Sequence, residues 1–262
     1  MNYDRLLNLT VRLGSVLLEN GAETYRVEES ILRIFQGYHM PECDVFVIPT
    51  MLIITIRPSE EETITQQKRV RSRGTDLTKI SDANNLCRKM CSGTMSLDEI
   101  EQAIDAIYAG PVYSRRTQYL ASAAAAFSFC LFFSGSLLDA CFATLGGLMV
   151  KLILEKMGQW NTNTFFMHVA ASATVTMMAA AEAMLPFGAD MDKIIIGTIM
   201  LLVPGVTLTT CMRDTIAGDY ISGLSKLMEA LLIGTGVALG TYIGMSVMSL
   251  LFSLPAFAAF HL

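Results

Sequence analysis

Apolar residues follow two rhythms along this chain, and the change falls at Arg115-Arg116. Before it, short periodic patterns alternate with polar breaks. Leu6, Leu9, Leu13, Val16 and Leu17 recur at helical spacing, which predicts a first helix stopped at Asn20-Gly21. Val27, Ile31, Ile34 and Phe35 predict a second helix, from about Glu23 to Tyr38. Cys43–Ile48 and Met51–Ile56 read as strands broken at Pro49-Thr50, and Thr63–Arg71 as a third, polar strand. Helices are predicted over Asp76–Met90 and Leu97–Tyr108, the latter opened by a Ser96/Glu99 capping box.

After Arg116 the chain runs into long stretches free of Asp, Glu, Lys and Arg: Thr117–Leu138, Met157–Ala181, Ile194–Met212 and Ala230–Leu262. Each approaches or exceeds the roughly 20 apolar residues that cross a bilayer as a helix. A further span takes in Asp139 and Lys151, with the lysine stem reaching for the headgroups. Five spans are predicted, at about 117–135, 136–154, 162–184, 193–212 and 229–253. The expected fold is therefore a polytopic α-helical membrane protein: an α+β cytosolic domain over residues 1–114, then a transmembrane helical domain over 115–262. Gly236, Gly240 and Gly244 make two successive G-x-x-x-G steps. These serve either packing within the bundle or a subunit interface.

Charge sharpens this picture. Residues 1–114 carry 12 Lys+Arg and 16 Asp+Glu, residues 115–262 only 7 and 8. Arg115, Arg116, Lys151, Lys156, Arg213 and Lys226 fall on the side of the N-terminal domain, against Lys193 on the other. The positive-inside rule then predicts a cytoplasmic N-terminus and, with five spans, an external C-terminus. The K-R-V-R-S-R run from Lys68 is basic, but the domain around it is net acidic. A solvated strand or anionic lipid suits that run better than nucleic acid. Six cysteines in cytoplasmic or membrane surroundings are expected to be reduced. Cys87, Cys91 and His39 are too few and too scattered to argue a zinc site, so no metal and no cofactor is expected.

Three stretches carry candidate chemistry. In Gly21–Ser30 (GAETYRVEES), the residues Gly21, Glu23, Thr24, Arg26 and Glu28 crowd polar groups at a helix start. They read either as a capped helix with an Arg–Glu pair or as a gating motif at a helix end that attracts anions. Pro204-Gly205 interrupts the fourth span. It is either a plain kink or a discontinuous helix of the kind that transporters use as a midplane binding site. The connector Arg213–Glu229 holds Arg213, Asp214, Asp219 and Glu229. It reads as an aqueous loop or as a re-entrant, pore-mouth segment, since Ile216, Tyr220, Ile221 and Leu224 make it half apolar. Arg213 suits a carboxylate, held bidentately, and the acidic residues suit an amine or a proton.

Together these stretches resemble the threonine/serine exporter family of bacterial inner-membrane proteins. The matching residues are Gly21-Ala22-Glu23-Thr24 with Arg26-Val27-Glu28, the Pro204-Gly205 break, and the run Arg213-Asp214, Gly218-Asp219, Gly223, Glu229-Ala230. The resemblance covers nearly the whole chain and implies proton-driven export of a small carboxylate-bearing metabolite. Longer members carry a second membrane half. The chain thus resembles the larger subunit of a split branch, linked to amino-acid or succinate export, in which a small membrane protein supplies that half. A homo- or hetero-oligomer in the inner membrane is implied. Pro204, Gly205, Arg213, Asp214, Asp219 and Glu229 are implied to bind substrate.

Two rival readings remain. One is a membrane-anchored, hydrolase-like enzyme with its site in residues 1–114. No nucleophile–base–acid set or metal cluster is visible there, so the chain is not expected to be an enzyme. The other is a non-transporting scaffold that recruits a partner through the Gly236/Gly240/Gly244 face.

Overall fold

The computed structural model describes residues 2–59, 62–71, 73–186 and 188–252. The expected end of the fifth span at residue 253, and the C-terminus whose outside placement was expected, lie outside the described residues. Packing divides the chain into two compact units. One is Met1–Pro111 with Leu208–Leu227, the other Val112–Thr207 with Met228–Leu262. Leu208–Leu227, expected as the end of the fourth span and the connector after it, thus groups with the N-terminal elements.

In the first unit α1 (Tyr3–Glu19) is the central helix. Eleven of its residues are buried. It packs on α2 (Thr24–Gly37), α3 (Leu77–Met90), α4 (Leu97–Tyr108) and the sheet. The sheet is an antiparallel meander of β1 (Glu42–Ile48), β2 (Met51–Ser59) and β3 (Glu62–Arg69). Strand alternation turns Val47, Leu52, Ile54 and Ile56 into the core with Leu6, Leu13, Ile31 and Phe35. Helix starts follow the local sequence. Asn2 caps α1 and Asp76 caps α3, while Ser96 and Glu99 form the expected capping box on α4. Arg5 and Arg12 of α1 tie to Asp98, Glu101 and Asp105 of α4. These exposed pairs fix register more than they stabilise.

The second unit is a helical bundle of α5 (Arg115–Phe132), α6 (Leu137–Gln159), α7 (Thr164–Ala183), α8 (Met191–Ile199) and most of α10 (Tyr220–Phe252). Small residues set its contacts. A Cβ on Gly147 would stand 2.7 Å from the Ser122 carbonyl oxygen, and one on Gly197 would stand 2.7 Å from the Cys130 Cα. The Gly236, Gly240 and Gly244 face of α10 meets Phe165, Val169, Ser172 and Thr176 of α7. That face is used within the bundle, which removes the feature the scaffold reading rested on.

The expected five spans are not matched by five long apolar helices. Among the described residues three are long and apolar enough to cross a membrane: α6, α7 and α10. α5 opens on four polar residues, Arg115, Arg116, Thr117 and Gln118, which lower the mean hydropathy of this 18-residue helix. The fourth expected span is broken, because Pro204 offers no backbone donor: α8 ends at Ile199 and α9 (Gly205–Ala217) starts a new helix. Lys151 also departs from expectation. α6 continues to Gln159, so Lys151 lies inside the helix and donates to Gln118 Oε1 at 2.6 Å.

Candidate functional site

The segment Leu208–Leu227 of the first unit is a helical hairpin. The C-terminal turns of α9 meet the start of α10 through Gly218, which takes φ +97°. The aqueous-loop reading of Arg213–Glu229 gives way to this hairpin, because both arms are helical. Its polarity is inverted relative to a soluble surface. Cys211, Asp214, Ser222, Gly223 and Lys226 are buried, while Met212, Ile216, Tyr220, Ile221 and Leu224 are exposed. Gly223 allows the close approach: a Cβ there would stand 2.2 Å from Thr215 Oγ1.

Inside the hairpin, Lys226 Nζ lies 2.7 Å from Asp214 Oδ2. Asp214 is 0% exposed and Lys226 6%. Neither group gains a well-directed hydrogen bond from the contact. Such a buried pair is held by proximity alone, and losing either partner strands a charge. Burial pushes the Asp214 carboxyl up, Lys226 pulls it down, and Asp219 and Glu23 add to the upward push.

The hairpin engages the start of α2. Glu23 occupies the N-cap position, but its side chain makes no cap hydrogen bond. Its carboxylate is instead shared by two arginines. Arg213 donates to Oε1, and Arg26 Nε lies 2.6 Å from Oε2. Thr24, fully buried, donates from Oγ1 to Asp219 Oδ2 at 3.3 Å. Asp219 also donates its backbone N–H to the Asp214 carbonyl at 2.9 Å. One turn along α2, Glu28 Oε1 accepts from the Val47 N–H at 2.7 Å. Burial pushes the Glu28 carboxyl up and Asp219 adds to this, while the Val47 bond opposes it. Gly21 makes the turn before α2 possible with φ +93°, where a Cβ would also stand 3.0 Å from the Gly74 carbonyl oxygen.

The two polar motifs of the sequence are therefore one cluster: Glu23, Thr24, Arg26 and Glu28 from α2, with Arg213, Asp214 and Asp219 from the hairpin. Pro204, Gly205 and Glu229 belong to the second unit. Lys226 was not among the expected site residues. Its signal was present in the spacing of Ser222, Gly223, Lys226 and Ala230 as a narrow small-or-charged stripe among large apolar residues. Reading the connector as a loop hid that stripe.

Arg213 offers a guanidinium fork to a carboxylate, and Glu23 offers a carboxylate to an amine. Among the described residues no three His, Cys, Asp or Glu side chains converge as a metal site. All six cysteines are free thiols.

The family model described as "Putative threonine/serine exporter" matches residues 8–248. The chain is 26% identical over 243 residues to the "Probable threonine/serine exporter" of Mycobacterium tuberculosis, covering 92% of this chain and 46% of that protein. It is 22% identical over 253 residues to the "Threonine/serine exporter" of Corynebacterium glutamicum, covering 94% of this chain and 52% of that protein. The chain thus spans about half the length of the curated relatives it matches. No solved structure matches.

Proposed function

The chain belongs to the threonine/serine exporter family, and from that premise we propose that it is a membrane transporter subunit exporting a small carboxylate-bearing metabolite. The substrate would be L-threonine, L-serine or a dicarboxylate such as succinate. The observation that carries this reading is the Glu23–Arg213 ion pair within a chain whose family model matches residues 8–248. In this reading the substrate carboxylate displaces Glu23 from Arg213, and the freed Glu23 accepts an ammonium where the substrate has one. Asp214, Asp219 and Glu229 balance charge or relay protons, so that the proton gradient drives export. The substrate path passes the Pro204-Gly205 break at the head of α9.

We place residues 1–114 in the cytoplasm and the C-terminus outside, in a bacterial inner membrane. Six basic residues against one support that orientation. In this reading the chain works with a small partner membrane protein.

The test is counterflow in proteoliposomes holding this chain and a co-expressed small partner, with labelled serine, threonine and succinate, with and without an imposed pH gradient. Saturable exchange of one substrate, accelerated by the gradient and sharply lowered by Arg213→Gln, is expected. Exchange that survives Arg213→Gln in well-folded protein would remove the substrate role of Arg213. No exchange of any substrate would remove the transport reading.

A further inference from the structure

A cleft of about 860 Å³ runs between α2 and α3 in the first unit, away from the Glu28 and Asp214 side chains. Its walls are two helical stripes, Arg26, Ser30 and Arg33 on α2 and Asn84 and Arg88 on α3, with Tyr25 beside them. Spacings of three and four residues place each stripe along one helix face. Backbone contact pins one end. A Cβ on Gly37 would stand 2.3 Å from the Cys91 carbonyl oxygen, and one on Gly93 would stand 2.0 Å from the Gly37 carbonyl oxygen. Only glycine allows the two helix ends to meet there.

The lining is strongly biased in charge. Three arginines face a single carboxylate, Glu29. Glu29 holds Arg33 at 2.6 Å, and Arg26 is tied to Glu23 and to the Tyr25 hydroxyl at 3.1 Å. The Arg88 side chain makes no hydrogen bond or ion pair among the described residues. Guanidinium forks match the oxygens of phosphate and carboxylate groups. Ser30 and Asn84 add neutral donors, and the volume suits a small molecule.

We propose that this cleft binds a small organic polyanion of up to nucleotide size, carrying phosphate or several carboxylates. Arg88 and Arg33 hold its oxyanion groups, and Arg26 swings to it from Glu23. Because Glu23 also pairs with Arg213, an anion that takes Arg26 leaves Glu23 to Arg213 alone. Occupancy of the cleft is thereby felt at the ion-pair cluster. The binding itself stands on residues 25–91 and does not depend on the transport reading.

The test is calorimetric titration of the full chain in detergent with ATP, pyrophosphate and citrate at low salt. The expected result is saturable binding of at least one probe, weakened about tenfold or more by Arg88→Gln, the scale of one charge-assisted hydrogen bond. Arg57→Gln, on the sheet and paired with Glu42, leaves that binding unchanged. Preference for ATP and pyrophosphate over citrate assigns phosphate, and the reverse assigns carboxylate. No saturable binding of any probe overturns the proposal. So does an equal loss in Arg57→Gln, which would mark diffuse charge attraction. The binding is read without transport, so either result stands whatever the counterflow assay gives.

Discussion

Arg213 on α9 donates to Glu23 at the head of α2 across 190 residues of sequence. The same carboxylate also faces Arg26, so one acidic group balances two cations. Glu23→Gln removes the carboxylate that both arginines contact, whereas Arg213→Gln still leaves Glu23 with Arg26. Glu23→Gln is therefore expected to lower counterflow at least as much as Arg213→Gln. Initial exchange rates at matched protein levels check this, and the opposite order would contradict the sharing.

The Asp214–Lys226 pair predicts a non-additive stability pattern. Lys226→Met strands a buried carboxylate and should destabilise the protein by about 3–5 kcal/mol. Adding Asp214→Asn removes the stranded charge and should restore about half of that loss or more. Denaturation midpoints of the single and double variants in one detergent measure it. Additive losses would mean that the two charges do not depend on each other.

Glu28 sets a pH dependence. Its carboxyl is raised by burial and by Asp219, so the folded state holds the proton more tightly than the unfolded chain does. The stability contributed by that proton is complete below the ordinary glutamate value. It is lost as pH rises from there through the raised value. Glu28→Gln should flatten stability across that window. Asp219→Asn should move the Glu28 titration downward, read by side-chain carboxyl NMR. An unmoved titration would show that Asp219 does not act on Glu28.

Two glycines of α10 should respond in opposite directions. At Gly240 a Cβ would meet Ser172 Oγ at 2.1 Å and the Val169 carbonyl oxygen at 2.3 Å. Gly240→Ala is thus expected to cost about 1–3 kcal/mol by forcing α7 and α10 apart. Nothing lies within 4 Å of a Cβ at Gly234, and Gly234→Ala should stabilise by about 0.5–1 kcal/mol through helix propensity. Paired thermal melts decide, and a stable Gly240→Ala would deny the close packing.

The elements of the first unit were legible because each has a local signature. Alternation marks β2, the 3.6-residue period marks α1 and α2, and Ser96 with Glu99 marks the start of α4. The helix break at Pro204-Gly205 was legible for the same reason, since a missing donor acts locally. The hairpin was not. Its buried face is small and charged and its outer face apolar, so a reading that assigns charge to water leaves Arg213–Glu229 between an aqueous loop and a re-entrant segment. Nor does any local rule reveal that Thr24 meets Asp219. That contact is decided by packing between distant segments.

α1, α3 and α4 each close their first turn with a side chain from their own cap. α2 does not, because the carboxylate in its cap position is directed elsewhere. The opening turn of α2 therefore lacks the side-chain-to-backbone tether that its sister helices have, and Glu23 links it instead to its own Arg26 and to Arg213 of the hairpin. Amide exchange at Val27, whose N–H donates to the Glu23 carbonyl at 3.1 Å, becomes a built-in reporter: slow while the hairpin is seated, fast once it lifts away and the turn frays.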